Sequence, residues 1–308
     1  IRNVQGGTPF SGINVASQKW GLKKNGVYVQ GPNGDIWGST WYWSGNVNAG
    51  NYVLEIKDDV CTLEYPFTIN SKAQRSVFVD GLNGSNSNSG VQSAPYSSIQ
   101  HAINQACDRD TIFLLDGVIT EDSIVVDKDI IIASLYARDD DSSHIANTVV
   151  DGNNQEAVFY VNVKTNNWNQ PSDTAYKKFI GFTIKNGLKY AGLGGGVNVT
   201  RGNIVFRRMN FVNNEGSNGG AIQVNQDAGT ILVDNSVFTE NTAIQGSAFY
   251  ARGGYFIIKR SRFVRNVASQ HSTVSFDNWC CGQGGYVNDS KFYFNEAQYY
   301  PIGEWKNW

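Results

Sequence analysis

Phe-Val-Asn-Asn at 211–214, Phe-Thr-Glu-Asn at 238–241, Phe-Val-Arg-Asn at 263–266 and Phe-Tyr-Phe-Asn at 292–295 share one pattern, Phe-x-x-Asn, at spacings of 27, 25 and 29 residues. Gly-Phe-Thr-Ile-Lys-Asn at 181–186 ends in a similar way. A second series alternates with the first: Gly-Gly-Gly-Val-Asn-Val (194–199), Gly-Gly-Ala-Ile-Gln-Val (219–224), Gly-Ser-Ala-Phe-Tyr-Ala (246–251) and a weaker His-Ser-Thr-Val-Ser-Phe (271–276), spaced 25, 27 and 25 residues apart. Two independent markers that keep one period define a structural repeat. The apolar residues in 230–233 and 254–258 recur as in strands, not at helical spacing. The reading is an all-β, right-handed parallel β-helix, with each coil made of three short strands and turns. Coils stack about 4.8 Å apart, because one coil alone cannot bury its inner face.

Within that solenoid, Phe211, Phe238, Phe263 and Phe292 are expected to stack inward, and Asn214, Asn241, Asn266 and Asn295 to form a ladder at a turn. An amide both donates and accepts, so each asparagine can bond to the coils on either side of it. Asn also tolerates the left-handed backbone of a tight turn. The paired glycines Gly195-Gly196 and Gly219-Gly220 suit a second corner.

Upstream, strands are expected at 76–80, 111–115, 124–126, 130–132 and 148–150. Between the first two, Ser97 is placed as the cap of a helix running to about Asp108, with Ile99, Ala102, Ile103 and Ala106 on one face. Such a helix covers the open apolar end of a solenoid. The Ile-Gln-x-Ala-Ile, Asp-Thr-Ile, Gly-x-x-x-Glu and isoleucine-rich pattern between Ser98 and Ser134 resembles the entry of pectin-lyase-like right-handed β-helix proteins. The Gly-Gly-Ala-Ile and Phe-x-x-Asn markers are similar to the repeat of chlamydial polymorphic outer-membrane proteins. This resemblance covers about Arg75 to Ala297 and implies a surface-displayed solenoid, without implying catalysis.

Residues 1–72 differ in texture, with Trp20, Trp37, Trp41 and Trp43 and turn signals at Asn25-Gly26 and Pro32-Asn33-Gly34. Short alternating segments over this length are read as an Ig-like β-sandwich module. Gly6-Gly7-Thr8-Pro9, Trp43-Ser44-Gly45, the stretch 49–52 and Asp58 to Ile69 resemble the repeat of Bacteroidetes gliding-motility adhesins. The solenoid is placed at 73–298 and a C-terminal tail at 299–308. The chain opens on Ile1 with neither an initiator Met nor a signal peptide, which reads as a processed product or a segment of something longer.

The composition is 41% hydrophobic and 17% charged, with a net charge of −2 and no basic block. Disorder is excluded, and electrostatic capture of nucleic acid gets no support. No apolar run reaches the roughly 18 residues of a membrane helix. The cysteines, Cys61, Cys107, Cys280 and Cys281, fit no zinc spacing. They read as buried thiols, or, for Cys280 and Cys281, as a disulfide to a partner or to a distant cysteine. Sequons stand at Asn83, Asn198 and Asn288.

Enzymes of the pectin-lyase-like fold use clustered carboxylates, with calcium and a basic residue in the lyases. The acidic candidates here are Asp80, Asp116, Asp151, Asp234 and the run Asp139, Asp140 and Asp141, which reads as a solvated loop able to take a calcium ion. Arg207, Arg208 and Lys185 lie on strands with no carboxylate pair expected beside them. His101, His144 and His271 are scattered and suggest no site. The sequence therefore reads as a non-catalytic structural or adhesive surface protein that needs no cofactor. It would be extracellular, associating head-to-tail into a fibre or with neighbouring domains of a longer chain. Trp305 and Trp308 lie after a solenoid with no evident exit cap. A polysaccharide lyase or glycoside hydrolase, and a glycan-binding module using Trp37, Trp41 and Trp43, are the alternatives.

Overall fold

A computed structural model of the chain describes residues 19–35, 50–57, 62–69, 74–162, 177–189, 192–225, 227–277 and 284–298. The chain divides into two compact units, Ile1–Ala73 and Gln74–Trp308.

The described part of the first unit is one antiparallel sheet, in the order Val27–Asp35, Lys19–Lys24, Gly50–Lys57, Thr62–Ile69. Asn25 and Gly26 both have positive φ and join the first two strands in a two-residue hairpin, as their sequence demands. Pro32-Asn33-Gly34, expected as a turn, runs inside the strand Val27–Asp35 instead. That strand lies at the edge of the sheet and its register slips twice, which is where a proline without an amide hydrogen is tolerated.

The second unit is a parallel β-solenoid. Four rows of strands run along it. Sheet I holds Ser76–Val79, Thr111–Leu114, Ile131–Ser134, Lys178–Ile180, the second half of Val197–Arg207, Ala228–Asp234, Tyr255–Lys259 and Gly285–Asn288. Sheet II is seven-stranded, from Gly117–Thr120 through Thr148–Asp151, Thr183–Lys185, Asn210–Val212, Val237–Thr239 and Arg262–Val264 to Lys291–Tyr293. Sheet III has five short strands, Leu188–Lys189 to Glu296–Ala297, and sheet IV runs from Ile124–Val126 to Val274–Phe276. The regular coils thus carry four strands, not three. The extra row is only two to four residues deep, too short to leave an alternation in the sequence.

The predicted stack and ladder are both present. Phe211, Phe238, Phe263 and Phe292 occupy the same register on sheet II, with ring centroids 4.8, 4.7 and 4.5 Å apart and nearly parallel planes. Asn241 Oδ1 accepts from the backbone N and the Nδ2 of Asn214, both at 3.0 Å, and Asn241 Nδ2 donates to Phe211 O at 3.0 Å. The same three bonds recur between Asn241 and Asn266 and between Asn266 and Asn295. The left-handed backbone falls one residue earlier than expected, on Asn213, Glu240, Arg265 and Phe294. The ladder asparagines are needed for their amides, and the preceding residue makes the bend. The 181–186 segment is offset by one: Ile184 pairs with Phe211, so Asn186 aligns with Asn213 and Gly187 takes the ladder place, donating to Asn214 Oδ1 at 3.0 Å.

A second ladder, unforeseen, lines the corner between sheets I and II. Ser236, Ser261 and Ser290 accept from the backbone N of Met209, Ser236 and Ser261 at 3.1–3.2 Å. Each hydroxyl donates to the carbonyl two residues before it.

The entry helix, α1 (Ile99–Gln105), buries Ile99, Ala102 and Ile103. Its cap is Ser98 and not Ser97, and it ends before Asp108. Both ends are held by the coil it covers. The Glu121 carboxylate accepts from Ile99 N and Gln100 N at 2.7 and 2.8 Å, while Lys128 Nζ donates to the carbonyls of Ile103, Asn104 and Ala106. An anion at the N-terminus and a cation at the C-terminus complement the helix dipole. We predict that Asn241→Ala, which strips the acceptor from two buried donors of Asn214, lowers unfolding stability by about 3 kcal/mol in urea titration. Glu121→Ala and Lys128→Ala are expected to raise hydrogen exchange in α1 while leaving the amides around Asn241 protected.

Candidate functional site

With the inside of the solenoid filled by apolar side chains, chemistry is left to its outer face. The most organised cluster lies where sheet I turns into sheet II. There the chain departs between Ile131–Ser134 and Thr148–Asp151 into two short helices, α2 (Tyr136–Asp139) and α3 (Ser143–Asn147). The run Asp139, Asp140 and Asp141, expected in a loop, therefore closes α2 and leads into α3. Asp140 is left-handed at φ 59°, and Asp141 Oδ1 accepts from Ser143 N at 2.9 Å.

His144, on α3, draws one of these carboxylates, Asp139, together with one from the solenoid body, Asp116. Its Nδ1 lies 2.7 Å from Asp116 Oδ1 and its Nε2 lies 3.2 Å from Asp139 Oδ2, while Thr148 Oγ1 donates to Asp116 Oδ1 at 3.0 Å. A ring with an acceptor at each nitrogen is at its best doubly protonated. The hydrogen bond to Asp116, opposed by burial and aided by the charges of Asp116 and Asp139, raises the imidazole pKa above its ordinary value. The sequence separates His144 from Asp116 by 28 positions, so only the insertion's return to the solenoid shows that they meet.

The neighbouring outer face of sheet I is apolar. Phe78 and Phe113 stack at 5.4 Å against Ala133, and Arg138 of α2 lies over both rings at 5.7 and 5.5 Å. Farther along, Arg207 stands in register with Asp234, and the Arg260 guanidinium grips the Asp234 carboxylate at 2.6 and 2.7 Å. One carboxylate thus does recur one coil from Arg207, though fully engaged. On the sheet III–IV side, Glu156 receives Lys189 Nζ at 2.8 and 2.5 Å and Tyr160 OH at 3.1 Å. Tyr250 is pushed up to about 12 by burial and then by Asp277.

The carboxyls of Asp80, Asp110, Asp141, Asp151 and Glu156 are all held low. Burial works against Asp80, Asp110 and Asp151 but is outweighed by hydrogen bonds from Asn83, Arg75 and Asn153 respectively. Lys189 lowers Glu156, and the Ser143 backbone lowers Asp141. A glycosidic general acid requires the opposite displacement. Among the described residues, no group of three or more His, Cys, Asp or Glu side chains is arranged to hold a metal ion, and Asp139 and Asp141 spend oxygens on His144 and on backbone amides.

Of the sequons, Asn83 and Asn288 are exposed. Asn198 is buried at 2%, with its amide bonded to both N and O of Gly194, which closes it to glycan attachment in the folded chain. Cys107 is exposed, not a buried thiol as expected. Trp37, Trp41, Trp43, Trp305, Trp308, Cys280 and Cys281 lie outside the described residues. No described helix is long and apolar enough to cross a membrane.

No protein-family model matches the chain, and no curated protein matches it. A solved structure, the GH136 lacto-N-biosidase from Eubacterium ramulus (selenomethionine derivative), is similar over 72% of this chain, at 10% identity and a TM-score of 0.28. The chain spans about half of that protein's length, 51%.

The raised His144 pKa sets the sign of a pH dependence. A cation stabilised in the fold contributes below the unfolded value of about 6.5, and the contribution is lost as pH rises through the folded value. Thermal unfolding should therefore separate His144→Gln from the parent chain at pH 5.5, with the variant less stable, and the two curves should converge at pH 9.

Proposed function

We propose that the chain is a non-catalytic structural or adhesive segment of an extracellular surface protein, with the solenoid serving as a stiff spacer. The observation that carries this reading is the amide ladder, in which each buried asparagine is bonded coil to coil from Asn214 to Asn295. A solenoid whose coils are tied by a column of amide bonds along its axis resists bending and presents its corners at fixed intervals. The outer carboxylates support the same reading, since Asp234, Glu156 and Asp116 are engaged by Arg260, Lys189 and His144.

The Phe-x-x-Asn and Gly-Gly-Ala-Ile markers favour the repeat type of polymorphic outer-membrane proteins. The antiparallel sheet at 19–69 is compatible with an Ig-like module resembling the gliding-motility adhesin repeat. Self-association belongs to the same reading.

The test is incubation with uronate-containing and neutral glycans, with and without calcium, followed by product analysis. The expected result is no product. Cleavage abolished by Asp116→Asn or Asp139→Asn would overturn the reading and assign the His144 cluster to catalysis.

A further inference from the structure

The charges of the solenoid are segregated along its axis. Residues 74–162 carry 13 Asp and Glu against 4 Lys and Arg, whereas residues 177–298 carry 7 against 13. The early coils therefore hold a formal charge of −9 and the late coils +6, in a chain whose total is only −2. Part of each excess falls on one side, at the corner between sheets I and II and on the outer face of sheet II. The early coils place Asp116, Asp139, Asp140 and Asp141 there, and the late coils place Arg262 and Lys291; Arg265, at the far edge of sheet II, lies 3.7 Å from Glu240.

Two features of the late coils are unfavourable for a chain on its own. Arg262 and Lys291 are direct cross-strand neighbours, both exposed, and neither makes an ion pair among the described residues. Like charges directly opposite each other on a sheet destabilise it. Phe294 is 80% exposed and held at φ 55°, in a column that holds Asn213, Glu240 and Arg265 in the preceding coils. A bulky apolar residue in the left-handed region is strained, and here the strain is joined to exposure.

We propose that this side of the solenoid is the docking surface for a second copy of the chain, laid alongside in antiparallel about a two-fold axis near Asn210–Val212. Patches of opposite charge at opposite ends of one side make each contact twice, as an isologous pair requires. The rungs of sheet II then match in order. The coil of Arg262 meets the acidic insertion beside Thr148–Asp151 of the second copy. Lys185, which pairs with Asp151 at 3.1 Å, comes opposite Glu240, which lies 3.7 Å from Arg265. On the last strand Lys291 meets Val118 of the first, which is itself 51% exposed, and Tyr293 meets Thr120, with Phe294 over the turn that follows it. This pairing uses the side of the rod and differs from the head-to-tail stacking expected from the sequence. It stands whether or not the chain is catalytic.

Sedimentation equilibrium of the whole chain tests it. The expected result is a monomer–dimer equilibrium whose dissociation constant rises at least about tenfold between 0.05 and 0.5 M NaCl, as screening removes the attraction. Arg262→Glu with Lys291→Glu should weaken the dimer at least about tenfold. Mixing that variant with Asp140→Lys/Asp141→Lys should restore it, which also shows that both variants fold. Phe294→Asn, the residue type of this column at 213, should weaken the dimer yet raise the unfolding temperature of the monomer. Monomers at every concentration in low salt, linear filaments, or dimers indifferent to the charge reversals would overturn the proposal.

Discussion

An amide buried in an apolar core must find a partner for each of its polar hydrogens, and in this solenoid the partners lie only in the adjacent coils. Asn214, Asn241 and Asn266 have no exposure, and each gives a side-chain hydrogen and its backbone hydrogen to one oxygen of the next asparagine. From Asn214 to Asn295 the register of each coil is fixed by the one after it. A slip of one residue would bury unpaired amides and turn the phenylalanine stack outward. The remaining features of the repeat follow from keeping these two columns aligned. Left-handed residues at the corners, the serine ladder and the short third sheet all serve to return the chain to the same point on each turn.

A structure held together along one axis has two ends, and the first is closed with care. α1 lies across the early coils, and its dipole is met by Glu121 at one end and Lys128 at the other, both from the coil it covers. Gln100 completes the seal, as its side-chain oxygen accepts from Val125 N at 2.7 Å on the first strand of sheet IV. The helix therefore supplies hydrogen bonds to an otherwise open edge as well as covering apolar surface.

With the interior committed to stacking, variation is free only at the corners and on the outer faces. The corner column between sheets I and II shows this directly. Gly181, Arg208, Asn235, Arg260 and Asp289 share one left-handed conformation and differ in everything else. The backbone constraint is met by each, and the charge they present changes along the rod. The same corner accepts the insertion that brings His144 to Asp116 and Asp139.

The sequence by itself determined the period, the identity of the phenylalanine and asparagine columns, the strands of the early coils and the presence of an entry helix. Each rests on a local or strictly periodic constraint: an inward aromatic every coil, an amide at a turn, apolar residues at helical spacing. The serine column had the same signal, with Ser236, Ser261 and Ser290 each two residues before its phenylalanine, yet a small polar residue near a turn is too common to announce a ladder. Only the tertiary structure decided the one-residue offset of Asn186, the fourth row of strands, the capture of α1 by Glu121 and Lys128, and the meeting of His144 with carboxylates from two segments. These depend on which residues of different coils share a rung. The sum of turn lengths around each coil sets that, and no single stretch of sequence records it.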